Sequence, residues 1–141
     1  MKLYLASSWA NSYAILDFAK FFRLKGHEVY AFPEHVFGNF TFNWTDIINP
    51  NDDGITCLKY WQAKQAFASD KKHMDWADAC ILFLPAGRDS HLEGGYIKGR
   101  GGKLFIVGAF PKGEFSNTYQ FADGLFRLTE LNKLLEVLNN G

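Results

Sequence analysis

Short apolar runs alternate with amphipathic segments along the whole chain. The apolar runs have the length of strands and cover residues 2–6, 27–32, 78–84, 103–109 and 124–128. The stretches between them include segments with helical apolar spacing, at residues 11–25, 56–77, 90–99 and 129–139. Strands that alternate with helices form a parallel sheet, because each connection must cross over the sheet and cover one of its faces. The sequence therefore predicts an α/β fold, a three-layer sandwich around a five-stranded, mostly parallel sheet.

The composition of the chain indicates a single domain and argues against binding of nucleic acid or insertion into a membrane. The chain has 141 residues, of which 48% are hydrophobic, and this suffices for the core of one domain spanning residues 1–141. Its 15 basic residues balance 15 acidic ones and are scattered, so no positive field is available to hold a nucleic acid polymer. The apolar runs are too short to cross a membrane, and we expect no signal peptide. Cys57 and Cys80 are far apart, with Cys80 in a predicted buried strand, which favours a reducing, cytoplasmic environment.

Residues 33–54 have no clear period and are rich in Phe, Asn and Asp. Connections in compact domains are usually much shorter, so such a segment is either a lid over a site or disordered. Its aromatic residues favour the lid. Phe42 and Trp44 could stack there on a nucleobase, although packing within the lid or at a subunit contact explains them equally well.

Ligands of such sheets bind beyond the carboxyl ends of the strands, where the strand order reverses. Three segments should share that edge: residues 6–9, residues 85–93, and the stretch that begins at residue 108. Ser7, Ser8 and Trp9 fall in the first segment. The two serines would ordinarily form a turn or cap a helix, and contact with phosphate or sugar is the alternative.

The second segment places a carboxylate, Glu93, directly before Gly94 and Gly95. Residues 90–93 match a capping box, in which Glu at the third helical position bonds back to the cap residue Ser90, and this explanation alone would suffice. Each glycine, however, weakens a helix by up to about 1 kcal/mol relative to alanine, so close approach of a ligand or a neighbouring backbone would explain them. A carboxylate in the first turn would be ionised, with its pKa lowered by the helix dipole. Glu93 is therefore a candidate nucleophile for retaining glycosyl transfer through a covalent sugar ester.

A leaving group would then need a proton. Asp70 and Asp75 precede the third strand and either could reach the edge, with a solvated helix end as the alternative for both. Tyr4 lies in the first apolar run, where packing against a helix is the ordinary role of such a residue. The four histidines have no metal-ligand spacing, and the sequence predicts neither a metal nor an organic cofactor.

Three blocks of the chain are distinctive: MKLYLASSW, WADACILFLPAGRDSHLEGGYIKGRGGKLFIV and FADGLFRLTELNKLLEVL. Together they resemble the nucleoside 2-deoxyribosyltransferase family, particularly its short bacterial and phage-type members, which are related to deoxynucleoside 5′-monophosphate N-glycosidases. The likeness spans nearly the whole chain in order, with the lid loosest and the central GRDSHLEGG most specific. It implies a flavodoxin-like sheet, a homo-oligomer, and cleavage of an N-glycosidic bond through a glycosyl-enzyme intermediate on a glutamate.

The resemblance also implies roles for single residues. Glu93 falls on the family's nucleophile, Asp70 on the aspartate that assists protonation of the base, and Tyr4 on a tyrosine that hydrogen-bonds near the nucleophile. Ser8 matches a serine that holds a 5′-phosphate in nucleotide-hydrolysing relatives. The matching arginine is replaced by Ala10, for which Arg88 could substitute.

Two further positions depart from the family. Gly87 stands where transferases often have an aspartate that holds the sugar hydroxyl, with Asp89 nearby. Gly124 aligns with an asparagine that a neighbouring subunit supplies in some members.

The resulting hypothesis is an enzyme that cleaves or transfers the N-glycosidic bond of 2′-deoxyribonucleosides or their 5′-monophosphates. The residues predicted to contact this small molecule are Ser7, Ser8, Trp9, Trp44, Gly87, Arg88, Asp89 and Ser90. The departures at Ala10, Gly87 and Gly124 keep open a nucleotide-binding or sensing domain without useful turnover. NAD glycohydrolysis, which uses similar glutamate chemistry on a related sheet, is a third hypothesis.

Overall fold

The computed structural model of the chain describes residues 1–34 and 44–141. Phe42 and the rest of residues 35–43, within the predicted lid, lie outside the described residues. Over the described ranges the central element is a five-stranded sheet. Its strands are β1 (Lys2–Ala6), β2 (Glu28–Ala31), β3 (Ala79–Phe83), β4 (Lys103–Val107) and β5 (Gly124–Phe126).

The strand order is β2-β1-β3-β4-β5, and every pair of neighbours is parallel. This is the order of flavodoxin-like sheets, in which the chain runs outward from β1 to β2 and then returns across β1 to add β3, β4 and β5. The switch point of the sheet therefore lies between β1 and β3. The predicted flavodoxin-like α/β fold is confirmed.

Six α-helices occur in the part of the chain that the structure describes: α1 (Ser12–Leu24), α2 (Trp44–Ile47), α3 (Gly54–Cys57), α4 (Trp61–Trp76), α5 (Arg88–Gly99) and α6 (Leu131–Asn139). The helix predicted at residues 56–77 is divided into α3, which the Asp53 side chain caps by accepting from the Thr56 amide over 2.7 Å, and the longer α4. No helix within the described ranges is long and apolar enough to cross a membrane.

The two faces of the sheet have different coverings, because successive strand residues point to opposite sides. On the first, the α1/α6 face, helices α1 and α6 pack against Leu3, Leu5, Ile81, Phe83, Phe105 and Val107. On the second, the α4/α5 face, helices α4 and α5 pack against Tyr4, Tyr30, Cys80, Leu82, Leu104 and Ile106. Right-handed crossovers explain this division, since the steps β1 to β2 and β2 to β3 run in opposite directions across the sheet.

Helices α4 and α5 lie side by side on the α4/α5 face. Both contact β1, and they contact each other, while α5 also contacts β3 and β4. The seam between the two helices consequently runs over the switch point of the sheet. Side chains that project from either helix into this seam meet those of β1 and β2.

Gly94 lets α5 lie close to the sheet. A Cβ atom at this position would lie 3.0 Å from Cδ1 of Leu104 and 3.7 Å from Sγ of Cys80. At Gly95 an added Cβ would meet nothing within 4 Å. The close approach predicted from the glycine pair is thus found at Gly94, toward side chains of the sheet rather than a backbone, while approach of a ligand to Gly95 stays a prediction.

Candidate active site

Two tyrosines on neighbouring strands form the floor of the seam. Tyr4 is the third residue of β1 and Tyr30 the third residue of β2, and the parallel register places them opposite each other. Their rings stack with centroids 4.9 Å apart, and the two residues are 1% and 6% exposed. The hydroxyl of Tyr30 donates to Oδ1 of Asp70 on α4 over 2.7 Å, and the hydroxyl of Tyr4 interacts with Glu93 of α5 closely enough to lower the pKa of that carboxyl. The tyrosine pair therefore links two carboxyl groups from different helices.

Glu93 lies one turn deeper in its helix than predicted. Helix α5 begins at Arg88 with Gly87 as its cap residue, so Glu93 is the sixth residue, in the second turn. Ser90 is inside the helix and buried, so the capping box weighed as the alternative explanation of residues 90–93 is not formed. The side chain of Glu93 is half-buried and lies over the sheet, where its charge also raises the pKa of the buried Cys80 thiol after the larger effect of burial.

The predicted lowering of the Glu93 pKa is also wrong. Burial raises the pKa of Glu93 to about 7, the negative charges of Asp70 and Asp89 raise it too, and only the hydrogen bond from Tyr4 lowers it. The helix dipole acts mainly within the first turn, which this residue has passed, so burial dominates. Near neutral pH the carboxyl is present in both protonation states. It can act as a nucleophile when ionised and as a proton donor when neutral.

Of the two aspartates predicted as proton donors, only Asp70 reaches the seam. Burial raises the pKa of Asp70 and the charge of Asp89 adds to the effect, while the Tyr30 hydrogen bond and the charge of His73 oppose it. Asp75 instead forms an exposed cluster one turn further along α4, bound to Lys71 over 2.6 Å and to the Tyr96 hydroxyl over 2.5 Å. Its partners lower the pKa of Asp75, so this carboxylate stays ionised.

Residues 7–9 follow β1 directly. The buried hydroxyl of Ser7 donates to the carbonyl of Phe83 over 2.9 Å and accepts from the Asn11 side chain over 2.9 Å, so it ties the ends of β1 and β3 together. Ser8 precedes a 3₁₀ turn at Trp9–Asn11, and its side chain makes no capping hydrogen bond there. Trp9 is 38% exposed and packs edge-on against Phe32, with ring centroids 5.0 Å apart. These residues lie at the carboxyl edge of the sheet, as predicted.

The start of α5 carries four more predicted contacts. Gly87, Arg88 and Asp89 are exposed, whereas Ser90 is buried. The charge of Asp89 raises the pKa of both Glu93 and Asp70, so electrostatically it belongs to the same site. Across residues 1–34 and 44–141 no group of three or more His, Cys, Asp or Glu could hold a metal ion.

Trp44 and Gly124, two positions also considered from the sequence, lie outside the seam between α4 and α5. Trp44 is half-buried and begins α2, where the chain returns from residues 35–43. Gly124 begins β5, and a Cβ there would lie 2.6 Å from the Phe126 ring, so the position has no room for a side chain unless that ring moves. Sheet packing thus accounts for a glycine at this position.

Tyr30 and His73 belong to the site and were missed from the sequence. The imidazole of His73 stacks on the Tyr30 ring, with centroids 4.0 Å apart, on α4 one turn after Asp70. A signal for Tyr30 exists in the strands themselves, since β1 begins Lys-Leu-Tyr and β2 begins Glu-Val-Tyr. In parallel strands that start in register, such tyrosines become neighbours on the same face.

A scan against protein-family models gives no match to the sequence, and a search of curated proteins also gives none. Among solved structures, the fold is similar to that of the Clostridium botulinum CMP N-glycosidase BcmB, with a TM-score of 0.59. The identity is 16%, and the alignment covers 99% of this chain and 99% of that one. At this identity the likeness establishes a common fold over the whole length.

Proposed function

We propose that the protein cleaves the N-glycosidic bond of a nucleoside or nucleotide by double displacement, with Glu93 as nucleophile and Asp70 as proton donor to the leaving base. The observation that carries the proposal is the cluster of Glu93, Tyr4, Tyr30 and Asp70, in which a stacked, buried tyrosine pair lies between two carboxyls, with Tyr30 donating to Asp70 and Tyr4 lowering the pKa of Glu93. The BcmB fold supports the reaction class, because that protein is a CMP N-glycosidase.

The first displacement uses each carboxyl in a different protonation state. Ionised Glu93 attacks C1′ of the sugar, the bond from C1′ to the base nitrogen breaks, and its electron pair goes to that nitrogen, which takes the proton of neutral Asp70. The Glu93 carboxylate also stabilises the positive charge that develops on the sugar. The products are free base, an Asp70 carboxylate and a sugar ester on Glu93.

The second displacement restores both groups. Water adds its oxygen to C1′, gives a proton to the Asp70 carboxylate, and releases Glu93 as a carboxylate. A second base in place of the water would give transfer instead of hydrolysis. Exclusion of water from the occupied site would favour transfer.

The tyrosines suit this chemistry as hydrogen-bond donors. Burial, together with the negative charges of Glu93 and Asp70, raises the pKa of Tyr4 far above its ordinary value, and burial and Asp70 do the same for Tyr30. Both hydroxyls therefore keep their hydrogen at neutral pH. Each one stabilises the charged form of the carboxylate it contacts.

The exposed residues around the seam extend the proposal to substrate binding. We assign Asp89, whose charge reaches both carboxyls, to a sugar hydroxyl, and Arg88 and Ser8 to a 5′-phosphate. The homo-oligomer implied by the family resemblance stays a prediction.

The test is covalent trapping followed by mass spectrometry. The protein is mixed with 2-fluoro-arabinosyl nucleosides and their 5′-monophosphates, whose fluorine slows hydrolysis of the sugar ester. We expect a mass increase of one fluorosugar in the wild type and in the exposed control variant Glu114→Gln, and none in Glu93→Gln.

A panel of deoxynucleosides, deoxynucleotides, CMP and NAD is then assayed for released base. No release from any member, or undiminished release by Glu93→Gln, would contradict the proposal. Thermal stabilisation by nucleotides without base release would instead indicate a nucleotide-binding domain, and nicotinamide release from NAD would indicate the NAD glycohydrolase.

A further inference from the structure

Tyr30 occupies a central position in the site although it lies on the edge strand β2. Its ring is packed between Tyr4 of β1 on one side and His73 of α4 on the other, with centroid distances of 4.9 and 4.0 Å. The residue is 6% exposed. Packing on both ring faces restricts the ring, so the direction of its hydroxyl is defined by the fold and not by the substrate.

The hydroxyl of Tyr30 is hydrogen-bonded to Asp70, and the Ser69 side chain hydrogen-bonds to the same hydroxyl. Tyr30 donates to Oδ1 of Asp70 over 2.7 Å, the common length of an O–H···O hydrogen bond. Burial and the Asp70 charge raise the pKa of Tyr30, so the hydroxyl remains the donor in this pair. The oxygen Oδ1 consequently acts as an acceptor, and a proton on the Asp70 carboxyl belongs on Oδ2.

Titratable groups face Tyr30 from every element packed against it. Tyr4 adjoins it from β1, Asp70, Lys72 and His73 from α4, and the charge of Glu93 reaches it from α5. Without the Tyr30 hydrogen bond, Asp70 could turn about its side-chain bonds within this mixed environment. Its two oxygens would then no longer be distinguished.

We propose that Tyr30 is a positioning residue for Asp70, which fixes the carboxyl through Oδ1 so that Oδ2 carries the proton given to the leaving base. This inference rests on the proposed function, because it assigns Tyr30 a task in the first displacement. After the proton leaves, the same hydrogen bond stabilises the Asp70 carboxylate until water returns a proton in the second displacement.

The test compares two leaving groups on the same sugar. A nucleoside needs protonation of its base as the bond breaks, whereas a 4-nitrophenyl glycoside releases a stable phenolate without it. We expect Tyr30→Phe, which keeps the stacked ring, to lower kcat on the nucleoside roughly 10-fold or more and to lower kcat on the 4-nitrophenyl glycoside less than about twofold. Loss of packing alone would lower both rates equally, and that result would overturn the inference.

Tyr96→Phe is the matched control. Tyr96 also donates its hydroxyl to an aspartate across α4 and α5, over 2.5 Å to Oδ1 of Asp75, but in the exposed cluster. This variant should retain both activities, and thermal unfolding of both variants checks that each is folded.

A double-variant cycle separates Tyr30 from a general structural role. In an Asp70→Asn background, Tyr30→Phe should cause no further loss on the nucleoside, because the hydrogen bond acts only through Asp70. An additive loss would overturn the inference. Failure of the proposed function has a different signature, since Glu93→Gln would then keep its activity on both substrates or the wild type would release no base from the nucleoside.

Discussion

The α1/α6 face and the α4/α5 face of the sheet are built by the same strands and differ in chemistry. In β1, Leu3 and Leu5 point into the first face and Tyr4 into the second. In β3, Ile81 and Phe83 alternate in the same way with Cys80. Strand alternation thus lets a five-residue segment serve an apolar core and a polar site at once.

The comparison shows what each face contributes to the free energy of folding. Folding removes the apolar side chains of the α1/α6 face from water, and this burial stabilises the fold. On the α4/α5 face, burial raises the pKa of Glu93 and of Asp70, which means that their charged forms are less stable there than in water. The buried carboxyls of the α4/α5 face therefore lower the free energy of unfolding, and the apolar burial on the α1/α6 face offsets this loss.

The largest expected effect is on turnover, from a change on the α4/α5 face. Asp70→Asn removes the proposed proton donor but keeps the shape of the side chain, so base release from a nucleoside should fall roughly 10²- to 10⁴-fold. The matched variant Asp75→Asn, in the exposed cluster, should stay within about twofold of the wild type. Steady-state kinetics on both variants measures the difference, and equal activity of the two would remove Asp70 from the mechanism.

A change on the α1/α6 face should affect stability and leave turnover alone. Leu134 of α6 is fully buried, and Leu134→Ala should lower the free energy of unfolding by about 2–5 kcal/mol through lost apolar burial and a cavity. Val137→Ala on the same helix, at a residue 40% exposed, should change it by less than about 0.5 kcal/mol. Urea unfolding gives these values. A large loss of kcat in folded Leu134→Ala protein would show that the two faces are not independent.

Removing the charge of Glu93 should stabilise the protein in a pH-dependent manner. The pKa of about 7 in the folded protein lies above the ordinary value of 4.5, so the wild type loses stability as pH rises from the lower value through the higher one. Glu93→Gln, which cannot ionise, should therefore be more stable than the wild type by up to about 3 kcal/mol near pH 8. Below the ordinary pKa the difference should vanish. Urea unfolding across this pH range checks the sign, and a constant difference would contradict the raised pKa.

The smallest effect concerns the packing of α5 on the sheet. Gly95→Ala should stabilise the helix by about 0.5–1 kcal/mol, because its new methyl group meets open space. Gly94→Ala should gain less or lose stability, because its methyl group would crowd Leu104 at 3.0 Å. Thermal unfolding of both variants measures this difference. Equal stabilisation of the two would mean that α5 is not held tightly against the sheet.

Most strands and helices of the fold could be predicted from the local pattern of apolar residues. Strand-sized apolar runs and helical spacing identify the β and α segments, and the alternation of the two dictates a parallel sheet with two covered faces. Glu93 was identified from its position and the glycines that follow it, the family resemblance selected Asp70 and Tyr4 to accompany it, and the structure brings the three together. Tyr30 was missed, since a tyrosine in a strand looks like ordinary packing until the register of β1 and β2 is known.

The sequence by itself determined which segments are strands and helices, since these depend on neighbours within a few residues. Only the tertiary structure decided that Asp70 faces the site and Asp75 does not, that α5 starts at Arg88, and that the pKa of Glu93 rises instead of falling. The physical reason is that burial and electrostatic interaction depend on distances between residues far apart in the chain. The pKa of Glu93 depends on the Tyr4 hydroxyl of β1 and on the Asp70 charge of α4, and no local pattern contains either.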